Sequence, residues 1–272
     1  MRIDDFVDPE ASGTAALVGA LRRARDERRQ IVWMIGAHVI KTGLSLYLSS
    51  LMRKGFITTI ATTGSATVHD LELAFYGKTS EDVAAELPNG RFGMARETSA
   101  HFAAACRHAA GNEQGLGEGL GEYIHASQAP HARFSVFAGA HRAGIPATVH
   151  VALGTDITHQ HPEFPAGTVG DLSMRDFRIL TRRVGEMFEG GAVVVFGSAG
   201  VLPEVFLKAV SIGYNLGRRP SGVTAASFDM IPQYRVRENV LTRPFQGAGR
   251  SFAFQGHHEI MLPLLYSLLT EE

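Results

Sequence analysis

Short apolar runs that stop at a glycine and give way to helical spacing recur along this sequence. Ile31-Val32-Trp33-Met34-Ile35 stops at Gly36, and Thr42 to Lys54 then sets Leu44, Leu48, Leu51 and Met52 at helical intervals before Gly55. A glycine in that place is a C-cap signal. Phe56 to Thr62 is strand-like and ends at Thr63-Gly64-Ser65, with helical spacing from Thr67 to Tyr76. Residues 90 to 145 read as mostly helical. The alternation then resumes with a strand over Ala147 to Leu153, a helix over Asp171 to Phe188, and a strand over Ala192 to Phe196. A helix opens around Pro203 and runs towards Leu216. The last unit is Ser251 to Phe254 followed by Ile260, Leu264, Leu265 and Leu268. Strands alternating with helices favour a parallel sheet covered on both faces. The expectation is an α/β fold, a Rossmann-like parallel sheet with helices on both faces. It forms a single domain over residues 30–272, preceded by an N-terminal helical extension over 1–29. The arginines that close the extension, from Arg22 to Arg29, read as a solvated face.

Composition excludes several classes. The 272 residues carry 26 Lys+Arg against 27 Asp+Glu, so the surplus positive charge of a dedicated nucleic-acid binder is missing. Cys106 is the single cysteine, which rules out an intramolecular disulfide or a cysteine metal cage. Its alanine-rich surroundings read as a small buried thiol. No run approaches about 18 apolar residues, so no membrane span is expected. The acidic start of the chain lacks the apolar stretch of a signal peptide, which makes a soluble cytoplasmic protein the expectation. Lysine is scarce: only Lys41, Lys54, Lys78 and Lys208 occur.

In a doubly wound sheet, ligands bind beyond the carboxyl ends of the strands, where glycine-rich turns expose amides. Five strand ends here are rich in small residues, and several of them add a His or Asp: Gly36 to Gly43, Thr62 to Asp70, Gly154 to His161, Gly197 to Gly200, and Gln255 to Glu259. Together they suggest one ligand-lined crevice. The GxGxxG fingerprint is missing from its usual place. Gly115-Leu116-Gly117-Glu118-Gly119 resembles part of it but follows no strand, and Gly111 to Gly121 reads as an exposed or mobile crossing. Twelve histidines offer either acid–base groups or metal ligands. His159, His161, His257 and Glu259 are the set a divalent metal would use, although their spacing is no known metal motif. His101, His108, His125, His131 and His141, in the helical middle, read as solvent-facing or satisfied in the core.

The strand ends also carry a resemblance. Gly36 to Leu44, the helix after it, and Ile60-Ala61-Thr62-Thr63-Gly64 through His69-Asp70-Leu71-Glu72 are similar to deoxyhypusine synthase. Gly154-Thr155-Asp156, Val193 to Lys208 and Phe252 to Leu265 follow in the family's order. The resemblance implies a Rossmann-like fold, NAD as cofactor, and a homotetramer with sites at dimer interfaces. It implies cofactor contacts at Thr42, Gly43, Thr62, Thr63, Gly64, Asp70, Asp156, Gly197, Ser198 and Gly256.

The family's substrate chemistry does not carry over. Its imine-forming lysine falls within Ser221 to Pro244, which holds neither Trp nor Lys, and no lysine follows Lys208. Polyamine-holding acids become His161 and His69, and a histidine pair is replaced around Pro203-Glu204. Imidazole in place of carboxylate removes attraction for a polycation. The expectation is an NAD-binding enzyme acting on a small, non-polyamine substrate by dehydrogenation or transfer. His69, His161 and His257 would handle protons, with Glu204 or Lys41 assisting. The other readings are a metal-dependent hydrolase using His159, His161, His257 and Glu259, or a non-catalytic NAD or nucleotide sensor. A true deoxyhypusine synthase ranks last.

Overall fold

The computed structural model describes residues 13–271, so the first part of the expected N-terminal extension lies outside the described residues. Six strands form one sheet: β1 (Ile31–Ile35), β2 (Thr59–Thr63), β3 (Ala147–His150), β4 (Ala192–Phe196), β5 (Val223–Asp229) and β6 (Gly249–Gln255). Their order is β3-β2-β1-β4-β5-β6 and every neighbouring pair is parallel. The expected α/β fold, a Rossmann-like parallel sheet, is therefore present. Ten α-helices of five residues or more accompany it among the described residues: α1 (Thr14–Asp26), α2 (Ala37–Lys41), α3 (Ser45–Arg53), α4 (Gly64–Tyr76), α5 (Arg96–Gly111), α6 (Leu116–Ala126), α7 (Val136–Ala143), α8 (Ala166–Met187), α9 (Val201–Asn215) and α10 (His258–Thr270). No described helix is long and apolar enough to cross a membrane.

All five residues of β1 are buried, which is why the run carries no polar alternation. Ile31, Trp33 and Ile35 enter one core, while Val32 and Met34 enter the other. The first core is crossed by a row of stacked rings. Trp33 lies 5.4 Å from Phe196, Phe196 lies 4.4 Å from Phe228, and Phe228 lies 4.8 Å from Phe254. One aromatic from each of β1, β4, β5 and β6 thus ties that half of the sheet together. The indole of Trp33 donates to the Phe56 carbonyl at 3.0 Å, so its one polar atom is satisfied in the core. Helix α1 buries Leu17, Leu21 and Ala24 in this same core, and Arg22 reaches the Leu268 carbonyl near the end of α10.

Two features differ from the sequence expectation. The strand β5 has no counterpart among the strands expected from the sequence, because its Val223-Thr224-Ala225-Ala226-Ser227 run is built from small residues rather than bulky apolar ones. The Gly111 to Gly121 stretch is also an exposed crossing only at its start, over 111–113: Leu116–Ala126 is helix α6, and Gly117, Gly119 and Gly121 are buried in it. They let α6 approach its neighbours closely. A Cβ at Gly117 would lie 2.2 Å from the Ala147 carbonyl oxygen, one at Gly119 2.3 Å from Ala109, and one at Gly121 2.5 Å from the Phe137 oxygen. Nor is this stretch a phosphate loop. The acceptor at the α6 N-terminus belongs to the protein itself, since the Asp176 carboxyl accepts from Gly117 N at 3.0 Å and from Val149 N at 2.7 Å. Burial raises that carboxyl to about 8 despite those donors.

Gly117→Ala is expected to destabilise the fold by about 1–3 kcal/mol, the usual cost of overpacking against backbone that cannot yield. Gly111→Ala, at the end of α5 with no atom within 4 Å of the added carbon, should be neutral or mildly stabilising. Urea denaturation of the two variants checks the contrast.

Candidate active site at the carboxyl ends of β1, β2 and β3

The strand order reverses between β1 and β4, and their carboxyl ends diverge there into separate helices. Beside this point, on the β2 and β3 side, lies a cavity of about 230 Å³ lined by Lys41, Ser65, His69, Glu72, Glu81 and Asp156 among others. Lys41 comes from the last turn of α2. Ser65, His69 and Glu72 sit on the first turns of α4 at spacings of three and four, so they share one face. Asp156 comes from the loop after β3. A neighbouring cavity of about 480 Å³ shares Glu72, Ser80 and Glu81 and continues to Thr79, Glu97 and Thr98.

The polar groups form a connected set. His69 Nδ1 and Thr79 Oγ1 are 2.7 Å apart, and Thr79 Oγ1 donates to Glu72 Oε2 at 2.5 Å. Thr98 Oγ1 donates to Glu72 Oε1 at 3.0 Å. Burial holds the His69 imidazole below its ordinary 6.5; Glu72 opposes that shift, while Lys41 and His38 add to it. Asp156 is pushed up to about 6 by burial. Its carboxylate lies against the first residue of α4, where a Cβ at Gly64 would stand 2.0 Å from Oδ2. The segment that roofs the cavity is held by Gly93. Its N–H donates to Glu81 Oε2 at 2.7 Å, and its carbonyl lies 3.0 Å from His161 Nε2.

The sequence-derived residues are thereby sorted. Lys41, His69 and Asp156 meet at one cavity, while His161 braces its roof. Asp70 does not face the crevice. It is fully buried and accepts from Ser135 Oγ and from Val136 N at 2.6 Å, capping α7. Thr62 is equally inside, its hydroxyl donating to the Ile35 carbonyl at 3.0 Å. Glu204 stands apart on α9, held by Lys208, by Arg235 at 2.6 Å and by Asn239 at 2.9 Å. That carboxylate is committed to three donors and is unsuited to moving protons at the His69 cavity. His257 is exposed at the start of α10. Gly197 packs on His258, and the Gly256 N–H donates to the Asp229 carbonyl at 3.0 Å. Thr42 turns its hydroxyl back to the His38 carbonyl at 2.9 Å, while Gly43 (φ 82°) has open space around it. Thr63 Oγ1 pairs with Ser65 Oγ at 3.0 Å beside the cavity, and Ser198 is buried at the β4 end.

The metal reading finds no support among the described residues. No group of three or more His, Cys, Asp or Glu among the described residues could hold an ion. His159 Nδ1 accepts from Gly154 N at 3.0 Å and from Asp156 N at 3.2 Å, so that lone pair braces its own loop. His161 serves the roof, and Glu259 lies near His38 at 3.8 Å instead. The residues missed from the sequence are Glu72, Thr79, Glu81 and Thr98. Thr79-Ser80-Glu81-Asp82 stands out as a polar run, but its capping pattern explains only Asp82, which caps a single helical turn over Val83–Glu86.

The strand ends fit a dinucleotide in two respects. A Cβ at Gly154 or Gly200 would meet no atom within 4 Å, which leaves backbone approachable at the β3 and β4 ends. The N-terminus of α9 carries no side-chain cap, so its amides suit an anionic group. Asp156 suits hydroxyl or amide donors.

Comparison with known proteins agrees on the fold. A family described as "Arginine dihydrolase ArgZ-like, C-terminal, Rossmann fold" matches residues 15–101, less than half of the chain. No curated protein sequence matches. Among solved structures, the arginine dihydrolase ArgZ of Cyanobacteria is similar at 20% identity and TM-score 0.56, over 94% of this chain and 31% of that one. AgrE in complex with ornithine and NAD+ is similar at 17% identity and TM-score 0.61, over 93% of this chain and 32% of that one. A putative deoxyhypusine synthase from Entamoeba histolytica is similar at 12% identity and TM-score 0.55, over 94% and 86%. The chain thus spans about a third of the length of ArgZ and AgrE. At these identities the likeness is one of fold, and deoxyhypusine synthase is one neighbour among several.

Asp70 gives a pH test of its structural role. Its folded value of about 7 lies above the ordinary 3.8, so the folded state holds the proton more tightly. Its contribution to stability therefore falls as pH rises from about 4 through 7. Asp70→Asn should flatten that decline in denaturation at pH 5 and pH 8, and Asp70→Ala should cost about 2–3 kcal/mol at pH 5 and less at pH 8, through the buried donors of α7 left unpaired.

Proposed function

We propose that this chain is an NAD-binding enzyme that draws a proton from a small, non-polyamine substrate held beside His69. The observation that carries the reading is a half-buried imidazole, depressed below its ordinary value, on a cavity that also presents Lys41 and Asp156. A histidine neutral near pH 7 is fitted to accept a proton. The Lys41 ammonium would hold an anionic group of the substrate or offset negative charge developing as the proton leaves. The Asp156 carboxylate would orient a hydroxyl or amide donor. The roof over residues 80–93, pinned through Gly93, would exclude water.

NAD enters the proposal through AgrE, which was solved with ornithine and NAD+, through the sequence resemblance, and through the open strand ends described above. When bound, it supplies a hydride acceptor or donor. The activities of the much longer ArgZ and AgrE chains are not transferred to this one. The homotetramer implied by the resemblance belongs to the same proposal and is read by light scattering.

Calorimetric titration should show saturable NAD binding at about one per chain, followed by a metabolite screen read at the reduced-nicotinamide absorbance. His69→Asn should keep NAD binding and lower kcat by about 100-fold or more, the usual weight of a general base. Activity should fall on the acid side as His69 protonates, with a midpoint below its ordinary 6.5. No binding at millimolar NAD, or full turnover by His69→Asn, would overturn the reading.

A further inference from the structure

Thr79 stands between His69 and Glu72, and the direction of its single hydroxyl proton decides which nitrogen of His69 is protonated. Three donors converge on the Glu72 carboxylate: Thr79 Oγ1 at 2.5 Å and Ser80 N at 3.4 Å on Oε2, and Thr98 Oγ1 at 3.0 Å on Oε1. A carboxylate can only accept, so the Thr79 proton points to Glu72. The lone pairs of Thr79 then face His69 Nδ1 at 2.7 Å, and a hydrogen bond at that separation requires the proton to sit on Nδ1. His69 Nε2 is left unprotonated.

The backbone is bent to make this possible. Ser80 has φ 82°, a left-handed conformation that costs a residue with a side chain energy to hold. In that conformation the Thr79 hydroxyl and the Ser80 amide both address Glu72. His69 and Glu72 are one helical turn apart on α4, so the carboxylate and the ring are fixed relative to each other by a single rigid element. Thr79, arriving from the loop after the helix, is the only one of the three not on it.

We propose that Thr79, backed by Glu72, is a positioning residue that locks His69 in the Nδ1–H tautomer and so presents Nε2 as the proton-accepting atom. The inference rests on the role given to His69 above, but its physical content is measured without turnover. Long-range proton–nitrogen correlation spectra of nitrogen-15-labelled protein report the tautomer of each histidine, with His69 assigned by its loss in His69→Asn. Wild type should show His69 as the Nδ1–H form. Thr79→Val should move it to a mixture or to the Nε2–H form, and Thr79→Ser should restore it. Glu72→Gln should reverse it, because the glutamine amide can donate to Thr79, whose own proton then turns to Nδ1.

In turnover, Thr79→Val should lower kcat by about 10–100-fold, as loss of a supporting hydrogen bond commonly does, with most of the activity returned by Thr79→Ser. Unchanged melting of the variants separates this effect from unfolding. Wild-type His69 in the Nε2–H form, or an unchanged tautomer in Thr79→Val, overturns the proposal even if His69→Asn is inactive. The expected tautomers together with an active His69→Asn support the lock and overturn the role of His69 as base.

Discussion

The arrangement depends on how closely β1 and β4 can lie where the strand order reverses. Gly36 follows β1, donates its N–H to the Phe196 carbonyl at 2.9 Å, and lies against the backbone of Gly197. A Cβ at Gly36 would stand 2.0 Å from the Gly197 oxygen, and Gly197 itself takes φ 60°. No side chain fits at the first position, and the second favours glycine. This contact lets the two strand ends separate immediately above the sheet. Lys41 on α2 is thereby carried to one side of the reversal, and α9 is opened on the other.

Helix N-termini are the usual anion sites of such a fold, and this chain fills several of them from within. Asp70 caps α7, Asp176 holds the start of α6, and Asp156 lies against the first residue of α4. Burial raises all three carboxyls, to about 7, 8 and 6 respectively. Two of them brace the helical layer over β2 and β3. Only Asp156 lines a cavity. An acid near a strand end is therefore no guide to ligand contact until it is known which helix it faces.

The candidate site is built by the same means. Helix α4 puts His69 and Glu72 on one face, the returning loop supplies Thr79, and α5 supplies Thr98. A half-buried imidazole remains at the cavity. The roof is held in turn by Glu81 and His161 through the backbone of Gly93, where a Cβ would collide with Ile157 and Gln160. These contacts bring α2, α4, the loop after α4 and the loop after β3 around one small volume.

The sequence alone determined the parallel α/β architecture. Runs such as Ile31–Ile35 and Ala192–Phe196 are apolar at every position, and strands of that kind are stable only when covered on both faces. It also marked the end of the sheet where the candidate site lies, because the small residues after β1, β2, β3 and β4 stand in the sequence at the break between strand and helix. It left β5 hidden, since Ala225 and Ala226 owe their burial to neighbours rather than to their own bulk. It could not tell that Asp70 points into the core while His69, one residue earlier, points to the cavity. Adjacent positions on a helix face about 100° apart, and which of them meets solvent is set by where the folded chain brings Ser135 and Val136 against α4. The partnership of His69, Thr79, Glu72 and Thr98 was equally out of reach. Their hydrogen bonds depend on a left-handed turn at Ser80 and on the seating of α5, and only the folded chain decides both.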